Sequence, residues 1–396
     1  LSSSEPGDQR VVLKQGRESP ARKRHHPWIY SQAVSEVTGE PSGDDLLRVV
    51  SWDNRPVGWG FYSPASLIAV RMVSFGAEKP APDWAEQRMQ AAYLLRKALE
   101  LDSDAFRVVN AEGDFLPGLI VDLYRDTAVL TAHVRGMEAQ AERLAARLGR
   151  LVPGVNVYFK RDEHYARVEG LGRASGYIAG SGTGRCQIRE GPVNLIVDFQ
   201  NGQKTGYYLD QRSSRRLIAR SSTGKSVLNL FAYTGAVALA AGAAGARRVV
   251  SVESSRHAVE LARESAALNL DMGKCDLEWV QADVFSFLEN TEVHDVVVAD
   301  PPPFARRRAE LQGALQGYLA LFQQCIRILA PGGLAFLFSC SGAVDRPTFR
   351  DVVVEAGRRA GREVRLLQEL HADMDHPVAA THPEGEYLKG WMVHAQ

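Results

Sequence analysis

The chain has 396 residues, 45% of them apolar and 24% charged, with 47 basic and 47 acidic side chains. That is core material for two or three domains, and it excludes wholesale disorder, collagen-like repeats and small disulfide scaffolds. No apolar run reaches the roughly 18 residues of a membrane helix, so no membrane association is expected. The best run, residues 237–246, is short, rich in Ala and Gly, and followed by Arg247 and Arg248.

Residues 1–9 carry no secretory apolar segment. The four cysteines (Cys186, Cys275, Cys325, Cys340) form no CxxC pair, so no structural zinc is expected, and a reducing, cytoplasmic setting fits. From Arg10 to Tyr30 there are six basic residues (Arg10, Lys14, Arg17, Arg22, Lys23, Arg24) against Glu18 alone. The segment is either a solvated terminus or a phosphate-facing patch.

In chain order, residues 11–73 read as a small β-rich unit. Segments 46–51, 57–61 and 67–73 are β-prone, with Gly43-Asp44, Asn54 and Ser63-Pro64 as turns. Pro80 and Pro82 mark a boundary. Residues 83–100 have a helical period through Trp84, Met89, Ala92, Leu95 and Leu99. Strand-like pieces at 106–109, 119–122, 128–134 and 156–160, with a helix at 138–148, make a central α+β unit. The Gly/Ser-rich stretch 170–187 reads as a loop or connecting hairpin.

From about residue 190 strands alternate with helices. Strands are expected at 226–230, 248–252, 277–280, 295–299 and 334–339. The helices expected between and after them lie at 236–244, 256–268, 284–289, 314–329 and 348–360. This alternation predicts an α/β, doubly wound parallel sheet, with ligands at the carboxyl ends of its strands. The domains are therefore expected at 1–76, 77–189 and 190–396.

Each strand end carries a chemical group. The first runs through Asn229, Phe231, Tyr233, Thr234 and Gly235 into a small-residue helix whose free N–H groups suit polar ligands. Its glycines are not spaced as GxGxxG, which disfavours a dinucleotide. Glu253 ends the second strand, either as a simple exposed acid or as an acceptor for two ribose hydroxyls. Asp283, after the third, caps the next helix or holds an adenine amino group, and the roles are compatible. The fourth ends in Asp300-Pro301-Pro302-Pro303-Phe304, a rigid turn able to hold Asp300 against a planar base. The fifth ends in Ser339-Cys340-Ser341-Gly342, where Cys340 is a small buried hydrophobe or a nucleophile.

Together these motifs resemble class I S-adenosylmethionine-dependent methyltransferases. The block Asn201-Gly202-Gln203-Lys204-Thr205-Gly206-Tyr207-Tyr208-Leu209-Asp210-Gln211-Arg212 narrows the resemblance to the large-subunit rRNA (cytosine-5) methyltransferase I family. So do Asp375-His376-Pro377 and Tyr387-Leu388-Lys389-Gly390 near the end. Gly16-Arg17 through His26-Pro27-Trp28 resemble the family's PUA RNA-binding domain.

The resemblance implies a PUA-like domain, a central α+β domain and a Rossmann-like catalytic domain. It implies S-adenosyl-L-methionine as cofactor and large-subunit rRNA as partner, with a homodimer as one compatible assembly. By motif position Glu253 holds the ribose, Asp283 and Val284 the adenine side, and Asn229 and Phe231 to Gly235 the methionine moiety. Asp300 and Pro301 flank the cofactor, and Lys204, Thr205, Asp210 and Arg212 close over it. The family usually has Lys where this chain has Pro303. That departure bears on base contacts, and Arg306, Arg307 and Arg308 follow as substitute charge.

Carbon 5 of cytosine is a poor nucleophile until a thiolate adds at C6. Cys340 is the expected nucleophile, and Asp300 the group that steadies N3. Some related RNA enzymes carry a second cysteine near the proline turn; this chain has none there. RNA contacts are expected from the basic N-terminal segment, Trp28, and the cluster Arg212, Arg215 and Arg216. Alternatives are methylation of adenine N6 or guanine N7, which need no thiol, and an inactive RNA-binding relative.

Overall fold

The computed structural model describes residues 9–269, 275–305 and 308–396. The chain forms two compact units. One holds the chain up to Cys186 together with Asp198–Gly206 and Met374–Gly385. The other holds Gln187–Val197, Tyr207–Asp373 and Glu386–Gln396.

The first unit begins with a six-stranded sheet in the order Trp28–Tyr30, Ile68–Phe75, Pro56–Tyr62, Leu46–Val50, Arg10–Leu13, Val34–Thr38. Alternation along these strands puts Val11, Leu13, Leu47, Val49, Val70 and Met72 into one core. The basic segment forms a short helix, Ser19–Arg24, whose last turn exposes Arg22, Lys23 and Arg24. The Trp28 ring is half-buried. Its Nε1 donates to Glu112 at 2.7 Å, His382 packs edge-on to it, and Arg71 lies 5.5 Å from the ring centre.

A five-stranded sheet follows, ordered Gly176–Ala179, Asn156–Phe159, Thr127–Ala132, Leu119–Tyr124, Ala105–Asn110. The helices Trp84–Ala98 and Ala141–Leu151 bury Trp84, Met89, Leu144 and Leu148 with its strands. The Gly/Ser-rich stretch becomes the Gly176–Ala179 edge strand and one arm of a hairpin, Arg185–Glu190 with Val193–Asp198.

The segment Met374–Gly385 is stitched into this unit by backbone groups. Arg96 and Asn110 donate to the carbonyls of Asp375 and Pro377, both at 2.9 Å. The Asp375 carboxylate accepts from the Arg107 N–H, also at 2.9 Å. A Cβ on Gly113 would stand 2.0 Å from the Pro377 oxygen, so only glycine permits that approach.

The second unit is a seven-stranded sheet ordered Asp276–Gln281, Arg248–Glu253, Ser226–Leu230, His294–Ala299, Leu329–Ser339, Lys389–Ala395, Val364–Leu370. The first five strands are parallel and Lys389–Ala395 is antiparallel to both neighbours. Val296, Val297, Val298 and Ala299 are at most 1% exposed, as expected for a central strand covered on both faces. Helices supply the covers, with Tyr318, Phe322, Phe349 and Val353 on one side. Two strands, Val364–Leu370 and Lys389–Ala395, lie beyond the expected set. The order reverses between Ser226–Leu230 and His294–Ala299, which opens a crevice at their carboxyl ends.

Arg96 is fully buried, and its guanidinium meets both oxygens of Asp114 at 2.5 and 2.7 Å. Replacing Arg96 with Leu strands a buried carboxylate and frees the Asp375 carbonyl. We expect a loss of about 3–5 kcal/mol in urea denaturation followed through the first unit. A loss under about 1 kcal/mol would show that the pair is dispensable.

Candidate active site

After the Ser226–Leu230 strand, Phe231 and Tyr233 adopt left-handed backbone conformations with φ of 56° and 47°. Each costs free energy for a non-glycine residue, so other contacts must hold them. One is the Tyr233 N–H, which donates to Glu253 Oε2 at 2.9 Å. The other Glu253 oxygen accepts from the Ser255 N–H at 2.9 Å and the Ser254 hydroxyl at 3.3 Å. Glu253 thus ties two strand-end loops together and keeps lone pairs to spare.

Gly235, with φ of 77°, caps the Ala236–Ala243 helix. A Cβ there would stand 2.5 Å from the Trp279 ring and 2.9 Å from Ala262. Its missing side chain therefore serves packing between helices and sheet as well as backbone turning. Thr234 is buried, and Asn229 is buried with its Nδ2 unmatched by any protein acceptor. An orphaned amide, a carboxylate clasp and a helix start with open N–H groups fit a zwitterionic nucleoside ligand.

Asp283 is exposed and caps the Val284–Leu288 helix, accepting from the Ser286 N–H at 3.0 Å and its hydroxyl at 3.2 Å. The capping reading holds, with the second carboxylate oxygen left over. The Val284 side chain is buried in the main core, so only its backbone can face a ligand.

The fourth and fifth strand ends meet. The Cys340 thiol lies 3.9 Å from the Pro301 carbonyl. Asp300 accepts from Gln211 Nε2 at 2.9 Å. Tyr208 packs perpendicular to Tyr233 with ring centres 5.2 Å apart. Burial pushes the Tyr208 phenol above its ordinary range, and negative charge on Asp300, Tyr233, Asp210 and Cys340 adds to this. Phe304 turns inward onto Tyr318, at 4.6 Å between ring centres. Pro303 is exposed; Arg306 and Arg307 lie outside the described residues.

The other cysteines are poor thiolates. Burial raises all three, Cys186 to about 12, with Cys275 and Cys325 also above the ordinary value.

The long motif block divides. Lys204 and Thr205 belong to the first unit, where the Thr205 hydroxyl bonds to Asp122 at 2.5 Å and Tyr124 at 2.9 Å. Asp210 accepts from the Tyr387 hydroxyl, and its carbonyl accepts from the Asp373 N–H. Arg212 is fully buried, 2.8 Å from Asp373 and 3.7 Å from Glu190. Arg215 binds Glu190 with both ends of its fork, at 2.6 and 2.7 Å, and donates to the Tyr208 carbonyl at 2.7 Å. Neither Arg212 nor Arg215 is an RNA contact, because both guanidinium groups are committed to buried carboxylates. Arg216 alone of that cluster is exposed. Sequence reasoning missed Tyr208, Gln211 and Lys389 as site residues, although all three lie inside the motif blocks it singled out.

A PUA-like domain model matches residues 11–75, and an S-adenosylmethionine-dependent methyltransferase model matches residues 161–382. The ribosomal RNA large subunit methyltransferase I of Aeromonas salmonicida is 36% identical, over 98% of this chain and 99% of its own. The protein of that name from Escherichia coli O9:H4 is 37% identical, over 96% of this chain and 98% of its own.

The chain belongs to the ribosomal RNA large subunit methyltransferase I family.

Its fold matches a methyltransferase solved with S-adenosylhomocysteine, at a TM-score of 0.83 and 22% identity over 97% of this chain and 99% of that one. A SAM-dependent methyltransferase from Streptococcus mutans matches at 0.82 and 21%, with the same coverage. The protein is an S-adenosylmethionine-dependent methyltransferase with an N-terminal PUA-like domain and a Rossmann-like sheet. Among the described residues no helix is long and apolar enough to cross a membrane.

Glu190 provides a pH test of the scaffold. Burial pushes its carboxyl up, but Arg215, with help from Arg212 and Tyr207, outweighs this and holds it below its ordinary value. A carboxyl depressed on folding stabilises the protein above its unfolded pKa, and that stability is lost as pH falls through the folded pKa. Glu190→Gln is expected to melt lower at neutral pH and to lose less on acidification from about pH 6 to pH 3. Parallel melting curves for the two proteins would contradict this.

Proposed function

We propose that this protein forms 5-methylcytosine in large-subunit ribosomal RNA, in the cytoplasm, through a covalent bond between Cys340 and C6 of the base. The observation that carries the reading is the placement of the Cys340 sulfur beside the Asp300-Pro301 turn, 3.9 Å from the Pro301 carbonyl. The names of the relatives supply the large-subunit rRNA.

When bound, S-adenosylmethionine supplies an electrophilic methyl that C5 of the base takes, leaving S-adenosylhomocysteine. The residues proposed to hold it are Asn229, Phe231, Tyr233, Thr234, Gly235, Glu253, Asp283, the Val284 backbone, Asp300 and Pro301, with Asp210 and Arg212 bracing the wall. Thr205 is not assigned to it, because its hydroxyl is bonded to Asp122 and Tyr124.

Cys340 adds as thiolate to C6, and the C5–C6 π pair moves to C5. Asp300, steadied by Gln211, stabilises the charge that builds at N3. After methylation a base removes the C5 proton; the C–H pair restores the double bond and the C6–S bond breaks, returning the thiolate. Methylation of an exocyclic amine is less well supported. It needs no thiol, and the aromatic ring after the proline turn packs against Tyr318 rather than standing open to a base.

Cys340→Ala is expected to lower methyl transfer to rRNA at least about 1,000-fold, as removal of a covalent nucleophile does. Wild-type protein should form a denaturation-resistant adduct with 5-fluorocytosine RNA. Near-normal 5-methylcytosine formation by Cys340→Ala, read by nucleoside mass spectrometry, would reject the reading.

The exposed Arg22, Lys23 and Arg24 are the proposed phosphate contacts of the PUA-like domain. Changing all three to Glu should weaken rRNA binding at least about tenfold and reduce its dependence on salt. An unchanged salt slope would remove this helix from the interface.

A further inference from the structure

Lys389 is a charged side chain in an unusual place. It opens the Lys389–Ala395 strand, lies directly across the antiparallel ladder from Ser339, and is 3% exposed. A buried ammonium is costly unless its donors are satisfied and its charge is used. Here Nζ donates to the Ser341 carbonyl at 3.0 Å and the Tyr387 carbonyl at 2.7 Å. Ser339 and Ser341 flank Cys340, so the ammonium sits against the turn that carries the thiol. The flanking side chains are also engaged: Ser339 donates to the Tyr318 hydroxyl at 2.9 Å, and Ser341 to the Ala305 carbonyl at 2.5 Å.

We propose that Lys389 is a positioning residue for Cys340: its ammonium clamps the Ser341 carbonyl and supplies the positive charge that keeps the neighbouring sulfur as thiolate. The inference rests on the reading of Cys340 as the reactive sulfur and names what activates it.

Tyr208, Tyr318 and Lys389 each feel the Cys340 charge. Asp300 acts on the same two phenols, and Arg346 and Asp345 act on Lys389. Burial raises both phenols, so they are neutral at physiological pH. Lys389 is the cation of the set. Burial pushes it below its ordinary value, and the Cys340 sulfur pulls it back up. That pull is reciprocal, because an ammonium stabilised by a thiolate stabilises the thiolate equally. No proton need move between them; Lys389 stays charged while the sulfur attacks and leaves.

The test is alkylation of Cys340 by iodoacetamide in the full-length protein, read site by site by mass spectrometry from about pH 5 to pH 10. Wild-type Cys340 should show a midpoint below the roughly 8.5 of a free thiol. In Lys389→Met the midpoint should rise, slowing the reaction at pH 7 about three- to tenfold. Lys389→Arg, which keeps the charge, should stay close to wild type. S-adenosylhomocysteine binding, measured in parallel, reports whether each variant is folded.

An unchanged profile in folded Lys389→Met would overturn the proposal. So would a wild-type midpoint at or above 8.5, which needs no variant at all. Alkylation does not depend on turnover. If Cys340→Ala still methylated RNA, the catalytic reading would fail while the Lys389 result stood on its own.

Discussion

The buried pair between Arg215 and Glu190 organises the candidate site. Both Glu190 oxygens take the Arg215 fork, and a third donor of the same guanidinium holds the Tyr208 carbonyl. One side chain therefore fixes both the Arg212–Ser221 helix and the segment that enters it. From that segment Tyr208 reaches Tyr233, and Gln211 reaches Asp300. Two charges removed from water are tolerated because the bidentate geometry and the surrounding donors compensate their desolvation. A rigid wall follows, built from a segment that contains no strand.

Against that wall stand four loops with little freedom. Glu253 clasps two of them through backbone N–H groups, which also balances the left-handed conformations at Phe231 and Tyr233. Proline fixes the third at Asp300-Pro301. The fourth, carrying Cys340, is pinned from the neighbouring antiparallel strand by Lys389. Preorganised dipoles and charges of this kind need not rearrange as charge develops on a substrate, which is where most of an enzyme's electrostatic advantage arises.

Much of the second unit was legible because its signals are local. The run Val296 to Ala299 is apolar without alternation, as a strand covered on both faces must be. The strand expected at 226–230 is the Ser226–Leu230 strand observed. The strand-end groups Glu253, Asp300 and Cys340 follow from that alternation, since each residue after a parallel strand emerges on the same edge. The last two strands were less legible. Val364–Leu370 has mostly half-buried or exposed residues, and Lys389–Ala395 opens with a buried lysine, so neither shows a clean apolar period. The Thr205 partners were less legible for another reason. Thr205 lies within one continuous motif, yet the chain passes between units at Gly206 and Tyr207, and its hydroxyl serves Asp122 and Tyr124.

The amino-acid sequence alone determined the alternation of strands and helices, the order of chemical groups along them and the family. These depend on residue type and short spacing. Tertiary structure decided which charges face inward. Arg212 and Arg215 read as a basic RNA-binding cluster until Glu190 and Asp373, 22 and 161 residues from Arg212, prove to be their partners. It also decided that Lys389 lies against the turn that carries Cys340, 49 residues earlier, through an antiparallel register no local pattern encodes. Electrostatic partnership depends on distance in space and on exclusion of water, and both are products of the folded chain.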